Sequence, residues 1–473
     1  MVIAMSYKLL RHIAFIGVGL YLAALLTISL AFRSHALQLK WVLWGIGEVL
    51  FFFVLTTVFY PRWRHDEPKK FWCKVFWTAL AIRAVYAFVM CYYYYWETGI
   101  GFEYDAADSL WYHPTAVHLS GAVRAGYISY VFQYLNAYTM GWSDQGYVLW
   151  LTLVYSIFGR SWLVPRLFKA LMSAYLCITV WKLGSRTFGE RTGRLAAVMC
   201  VFMPILVQIC GLHTKEMEMI FLSILALERI DYLIRSKKYT FWNILFPIIL
   251  TALTFGFRTI VGMCLIFAFL VFVLLSPKEL VDKKGKIIIS SSIMIVFFAF
   301  LISPIGSEMA NIYRLKFTDL QFQSEQYESL GMKHGELAQS WILAPGAFVL
   351  PLAPMVEESP NNNKMLHGST YVKNFLAFFA MLAILIAFRQ KKWRDFSLIG
   401  AYELSYLAII MFSFAANSER YHEPAIPLLI LMAAYAMTHL RHKDLKIFYV
   451  YCGVLVVALV FWNWLKLSAR GLV

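Results

Sequence analysis

Apolar residues run along this chain in long blocks, separated by short polar stretches rich in Lys and Arg. A hydrocarbon core of ~30 Å needs about 20 apolar residues per crossing helix. By that measure the pattern predicts about thirteen spans. They are expected near 13–32, 41–60, 75–96, 167–183, 195–212, 217–234, 242–255, 259–275, 287–305, 371–388, 396–416, 424–438 and 447–465. The fold class is therefore all-α: a polytopic transmembrane helical bundle. Two connections are too long to be simple turns, 97–166 and 306–370.

Composition sharpens this picture. Of 473 residues, 60% are hydrophobic and only 15% are charged, against about 25% charged in soluble domains. That excludes a soluble multidomain protein and a disordered one. The net charge of +16 would suggest nucleic acid if the bases formed one patch. They lie instead in short clusters: Arg62 to Lys74, Lys182 to Arg194, Arg229 to Lys238, Lys278 to Lys286, Arg389 to Arg394 and Arg441 to Lys446. Alternate loops carry them, which assigns those loops to the cytoplasm. The N-terminus joins them through Lys8 and Arg11, and both long loops fall outside. The seven cysteines lie in or beside apolar blocks with no CxxC spacing, so neither a disulfide scaffold nor a zinc site is expected.

Four regions follow: two N-terminal spans with a basic loop over 1–74, and a transmembrane core over 75–305 that carries the first outer loop, 97–166. The second outer loop, 306–370, is read as a cap, and 371–473 holds the last spans. The first outer loop holds Glu103, Asp105 and Asp108 just before an amphipathic stretch. A helix over 109–122 would place Tyr112, Ala116 and Leu119 on one face, with His113 beside it. The apolar segment 146–158 is too short to span and reads as an interfacial or re-entrant helix, so this loop is expected to form two short helices. A carboxylate held there could take a proton from a hydroxyl as general base. Arg83 and Glu403 fall inside spans, where a charge is costly unless paired.

Asp108-Ser-Leu-Trp-Tyr112-His-Pro-Thr-Ala116 resembles the D-x-x-x-Y-x-x-x-A signature in the first outer loop of GT-C glycosyltransferases. That superfamily includes the protein O-mannosyltransferases and the lipid A aminoarabinose transferase. The order of later segments is similar: 146–160, Pro165-Arg166 entering a span, Arg186-Thr-Phe-Gly189, Pro204, and His213-Thr-Lys215-Glu216. Arg420-Tyr421-His-Glu-Pro424-Ala-Ile-Pro427 resembles the family's R-Y-x-x-P-x-x-P entry into a late span. Two extra spans before the first outer loop, Ser109 after Asp108 and the absence of His-Pro-Pro point to a divergent bacterial branch.

The resemblance implies transfer of a sugar from a polyprenyl-phosphate donor to a hydroxyl acceptor on the outer face of the inner membrane. It implies Asp108 as base, with Asp105 second and Glu103 third. The lipid phosphate needs cations, for which Arg166, Lys215, Arg258 and Arg420 are candidates. Tyr112, His113, His213, Glu216 and Tyr421 are the remaining substrate-binding candidates. No nucleotide-binding loop is visible, no cofactor is expected, and no metal ligands are assigned, although a divalent metal stays open. The partners expected are the lipid-linked donor, a glycan, lipid or protein acceptor, and membrane lipid, with no nucleic acid. The competing readings are an O-antigen polymerase or ligase, which would use arginines in its long loops, and a flippase-type transporter, which would favour internal repeats.

Overall fold

The computed structural model describes residues 7–104, 106–138, 142–303, 306–307, 310–311, 314, 346–412, 419–468 and 470–472. Asp105 and most of 306–345 therefore lie outside the described residues. Within them the chain is helical, with no named strand, as the apolar blocks require. Six helices are long and apolar enough to cross a membrane. They are α1 (Tyr7–Ala31), α2 (Leu39–Trp63), α3 (Pro68–Thr98), α7 (Leu163–Phe188), α14 (Asn361–Arg389) and α18 (His442–Ser468). A seventh crossing is broken: α8 (Glu190–Phe202) and α9 (Pro204–Gln208) meet at 56°. The protein is a multi-pass membrane protein.

Each predicted span falls on a helix, but the count of thirteen is not reached by length and composition. The apolar helices α11 (Phe241–Phe257), α12 (Thr259–Leu275), α15 (Ser397–Phe412) and α17 (Ile426–Thr438) have 17, 17, 16 and 13 residues. Helix α10 (Glu216–Ser236) carries Glu216, Glu218, Glu228, Arg229, Asp231 and Arg235. Helix α13 spans Lys283–Ile302. The first long loop forms three helices where two were expected: α4 (Ala107–Arg124), α5 (Ile128–Tyr138) and α6 (Trp142–Phe158). Gly126, with φ of 83°, turns the chain between α4 and α5, a conformation costly for any residue with a Cβ.

The break between α8 and α9 has a local cause. Pro204 has no N–H to give to the Cys200 carbonyl, and the last carbonyls of α8 are left without helical partners. Arg83, fully buried in α3, supplies the missing donors. Its guanidinium donates to the Cys200 carbonyl at 2.9 Å and to the Val201 carbonyl at 3.1 Å. Its Nε donates to Ser173 Oγ of α7 at 2.6 Å. Arg83 thus ties α3, α7 and α8 together at the break. Glu403, the other charge flagged inside a span, makes no contact with it, and neither Glu403 oxygen has a partner among the described residues.

The described end of the second long loop does not lie free over the bundle. Ala353, Met355 and Val356 are fully buried. Their backbone is paired by two asparagines: Ala353 N–H donates to Asn374 Oδ1 at 3.1 Å, and Met355 N–H to Asn463 Oδ1 at 2.7 Å. Replacing Arg83 with Met should strand the two α8 carbonyls, at about 1–3 kcal/mol each. We expect a lower midpoint for thermal unfolding in detergent, with partial recovery in Arg83→Lys. An unchanged midpoint in Arg83→Met would show that the guanidinium does not hold the break.

Candidate active site

The break steers the chain through a short turn, 209–215, before α10 begins at Glu216. Lys169, fully buried in α7, holds that turn. Its Nζ donates to the Leu212 carbonyl at 3.0 Å and also to the Thr214 carbonyl, and lies 3.7 Å from the Glu218 carboxylate. On the other side of the turn stands the start of α4. Glu103 links the two. One of its oxygens accepts the Ser109 hydroxyl, and the other accepts the His213 backbone N–H at 3.0 Å. The stretch before α4 is thereby fixed against the turn before α10, with Asp108 in the first turn of α4.

Between them lies a cavity of about 310 Å³. Its walls include Glu103, Asp108, Gln208, Thr214, Glu216, Asn362, Asn363, Glu419, Arg420 and Glu423. Among the described residues lining it, Arg420 is the one cation. It comes from α16 (Glu419–His422), a single turn before α17. Arg420 Nη1 lies 2.5 Å from Asp108 Oδ2, and its Nε donates to Glu216. Neither partner is one of the acids next to it in the chain, Glu419 and Glu423. Asp108 and Arg420 keep 43% and 36% of their side chains exposed, whereas Glu216 keeps 1%. The accessible half of this triad is the Asp108–Arg420 pair.

The electrostatics of the cavity follow from burial and this one cation. Burial alone would raise the Glu216 carboxyl, but Arg420 and Arg258 outweigh it and hold it down at about 2. The paired guanidinium thus favours the ionised form of Glu216. Burial pushes the Glu423 carboxyl well up, and the Glu216 charge pushes it the same way. Burial also raises Glu419. One oxygen of each, Glu419 Oε1 and Glu423 Oε2, has no hydrogen-bond partner among the described residues.

The remaining candidates are placed around the cavity rather than on it. His113 Nδ1 pairs with the Tyr155 hydroxyl at 2.8 Å, and that hydroxyl reaches His213 Nε2 at 3.1 Å. Tyr112 is buried edge-on against Tyr147. Arg166 is fully buried and donates to the Gly101 carbonyl at 2.6 Å. Lys215 donates to the Ser143 carbonyl at 3.1 Å. Arg258 lies over the Tyr421 ring, 4.7 Å from its centre. These side chains hold the loops that carry the lining residues. Lys364 and His367, at the end of the stretch read as a cap, are buried: Lys364 pairs with Glu357 at 3.0 Å, and His367 with the Tyr21 hydroxyl at 2.8 Å. Among the described residues no three His, Cys, Asp or Glu side chains converge as a metal site.

Two polar residues escaped the reading of the sequence. Gln208 lines the cavity, and Glu48, buried in α2, accepts its amide and the Ser369 backbone N–H at 3.0 Å. Both stand inside predicted apolar spans. A polar group at that depth is itself a signal.

Residues 146–303 match the family model for dolichyl-phosphate-mannose-protein mannosyltransferases. The match bears out the GT-C glycosyltransferase class read from the sequence. It begins after Asp108 and ends before Arg420, so the cavity residues on α4 and α16 lie outside it. Solved structures of the oligosaccharyltransferase AglB from Archaeoglobus fulgidus are similar. One, in complex with an inhibitory peptide and a dolichol-phosphate, shows 15% identity and a TM-score of 0.41, covering 86% of this chain and 56% of that one. Another, in complex with Zn and sulfate, shows 16% identity and a TM-score of 0.41, covering 83% and 53%. The chain thus spans about half the length of these structures. No curated relative matches it.

Burial lowers both histidines of the Tyr155 cluster, helped by Arg160 at His113 and by Arg166 and Lys169 at His213. The unfolded chain takes up these protons near pH 6.5, and the folded chain only at lower pH. Their contribution to stability is therefore full above about pH 6.5 and lost as the pH falls below it. We expect His213→Gln to flatten the dependence of the unfolding midpoint on pH between about 6.5 and 5. Parallel wild-type and variant curves would remove His213 from that dependence.

Proposed function

We propose that this protein transfers a sugar from a polyprenyl-phosphate donor to a hydroxyl acceptor, with Asp108 as the general base and Arg420 as the phosphate-binding cation. The observation that carries the reading is the Asp108–Arg420 contact of 2.5 Å at the wall of a 310 Å³ cavity. Two further observations support it. The family matched over 146–303 is named for a lipid-phosphate-linked sugar. The lining is rich in acceptors, Glu419 and Glu423 among them, which suits a ligand rich in hydroxyl donors.

In the empty site the guanidinium neutralises Asp108 and keeps it in place. An arriving phosphate competes for the same donors, and Arg can grip it with two at once. Asp108 is then released from its ion pair beside the reacting centre. The acceptor oxygen forms a bond to the anomeric carbon while the bond from that carbon to the phosphate oxygen breaks. The phosphate leaves with the electron pair, and the acceptor proton passes to Asp108. Glu103 is the weaker candidate for this role, because both its oxygens are engaged by Ser109 and His213. Asp105 is kept as the second choice by its place in the sequence.

The working orientation is the one the basic clusters imply: N-terminus in the cytoplasm, both long loops and the cavity outside, in the inner membrane. Donor sugar and acceptor are left to a panel assay. Purified protein given polyprenyl-phosphate sugars should release polyprenyl phosphate. Asp108→Asn should lower that rate about 10²- to 10⁴-fold with an unchanged unfolding midpoint. Arg420→Ala should lower the rate about 10²- to 10³-fold, as loss of a group stabilising developing charge does. Wild-type turnover in Asp108→Asn would sink the assignment of the base, and loss of turnover in Asp105→Asn instead would move it to that residue.

A further inference from the structure

One wall of the cavity is made by residues 360–366, at the start of α14, including Pro360, Asn362 and Asn363. This wall is tied on both sides. Asn362 donates to the Tyr104 carbonyl, in the stretch that leads into α4. Three residues before Pro360, Glu357 is gripped by the turn that joins α1 to α2. Its backbone N–H donates to the His35 carbonyl at 2.8 Å. Its carboxylate accepts the Gln38 backbone N–H at 3.2 Å and the Gln38 side-chain amide at 3.0 Å. Lys364, from within the wall, donates to the same carboxylate at 3.0 Å and to the Glu357 carbonyl at 3.1 Å. Ala36 and Val356 form an antiparallel bridge beside it.

We infer that Glu357 is a positioning residue: it fastens the 360–366 wall of the cavity to the N-terminal helix pair, and so sets the shape in which the donor is held. The inference rests on the transferase reading for its catalytic consequence, but not for the fastening itself. Five hydrogen bonds with two separate parts of the chain meet at this one residue: four are donated to it by Gln38 and Lys364, and one it donates to the His35 carbonyl. A carboxylate that accepts from both Gln38 and Lys364 joins the two directly. Helices α1 and α2 thus act as a brace for the site, through a contact that involves neither Asp108 nor Arg420.

The test is Glu357→Ala in the full-length protein. Hydrogen–deuterium exchange over 360–366 should rise while exchange in α7 and α8 stays at the wild-type level. In the transfer assay the KM for the donor should rise about tenfold with kcat within about twofold, as for a loss of ground-state and transition-state binding alike. An antiparallel bridge places Cα atoms about 4.5–5.5 Å apart, within disulfide range. Adding Ala36→Cys and Val356→Cys to the variant and oxidising should restore both protection and KM, and reduction should reverse this. Unchanged exchange in Glu357→Ala, a fall in kcat at constant KM, or no recovery on oxidation would each overturn the proposal. If wild-type protein transfers no sugar at all, the function proposed above fails, and the exchange arm still decides whether Glu357 fastens the wall.

Discussion

The architecture of the site depends on one buried cation that takes no part in its chemistry. Arg83 donates to the carbonyls left open where Pro204 breaks the seventh crossing. Without those donors a break at that depth would leave polar backbone unsatisfied in an apolar surround. With them, the chain can stop spanning, turn through 209–215 and bring Gln208, Leu212, Thr214 and Glu216 to the cavity. A straight helix through 195–212 could not do this. Lys169 repeats the device at the turn itself, where it pairs with Glu218 and caps two more carbonyls. The cavity is a consequence of a broken helix, and the break is held by side chains of α3 and α7.

The same logic accounts for most of the cations on that side of the bundle. Arg166 spends a donor on the Gly101 carbonyl, Lys215 on the Ser143 carbonyl, and Lys364 on the Glu357 backbone. Lys373 reaches the Leu350 and Pro351 carbonyls at 2.5 and 3.1 Å. In a medium of low dielectric, a buried cation is retained where it meets acceptors that would otherwise be bare. Arg166 and Lys215 read in the sequence as candidates for a phosphate, and the structure gives them backbone carbonyls instead. Arg420 is different because it holds two carboxylates and because a third of it is exposed.

Much of the fold was legible because hydrophobic block length is a direct physical constraint on a crossing helix. Every predicted span met a helix, and the expected helix at 109–122 lies inside Ala107–Arg124. Of the site, Asp108, Glu216 and Arg420 were legible through short motifs, and they converge. His113, His213 and Tyr112 came from the same motifs but pack into an aromatic cluster behind the wall, because a motif reports proximity in sequence and not which way a ring faces. The partners of Arg83 at the break were illegible for another reason: the Cys200 and Val201 acceptors are backbone carbonyls, which carry no sequence letter. Glu48 and Gln208 were legible in principle, as polar residues inside apolar blocks, and they meet across α2 and α9.

The surplus of acid around Arg420 constrains how such a cavity can work. Among the described residues, five carboxylates line it, Glu103, Asp108, Glu216, Glu419 and Glu423, against one lining cation. A bound phosphate adds further negative charge, so it can enter only if some of these groups are neutral or already paired. Glu423 and Glu419 are pushed by burial toward their protonated forms, and Glu103 is held by two hydrogen-bond donors. That leaves Asp108 and Glu216 to share Arg420. Glu216 is buried and stays with the guanidinium, whereas Asp108 is exposed and can be displaced from it. Under the proposed transferase reading, arrival of the phosphate and release of the base would be one event, and the acceptor would meet a free carboxylate only with the donor in place.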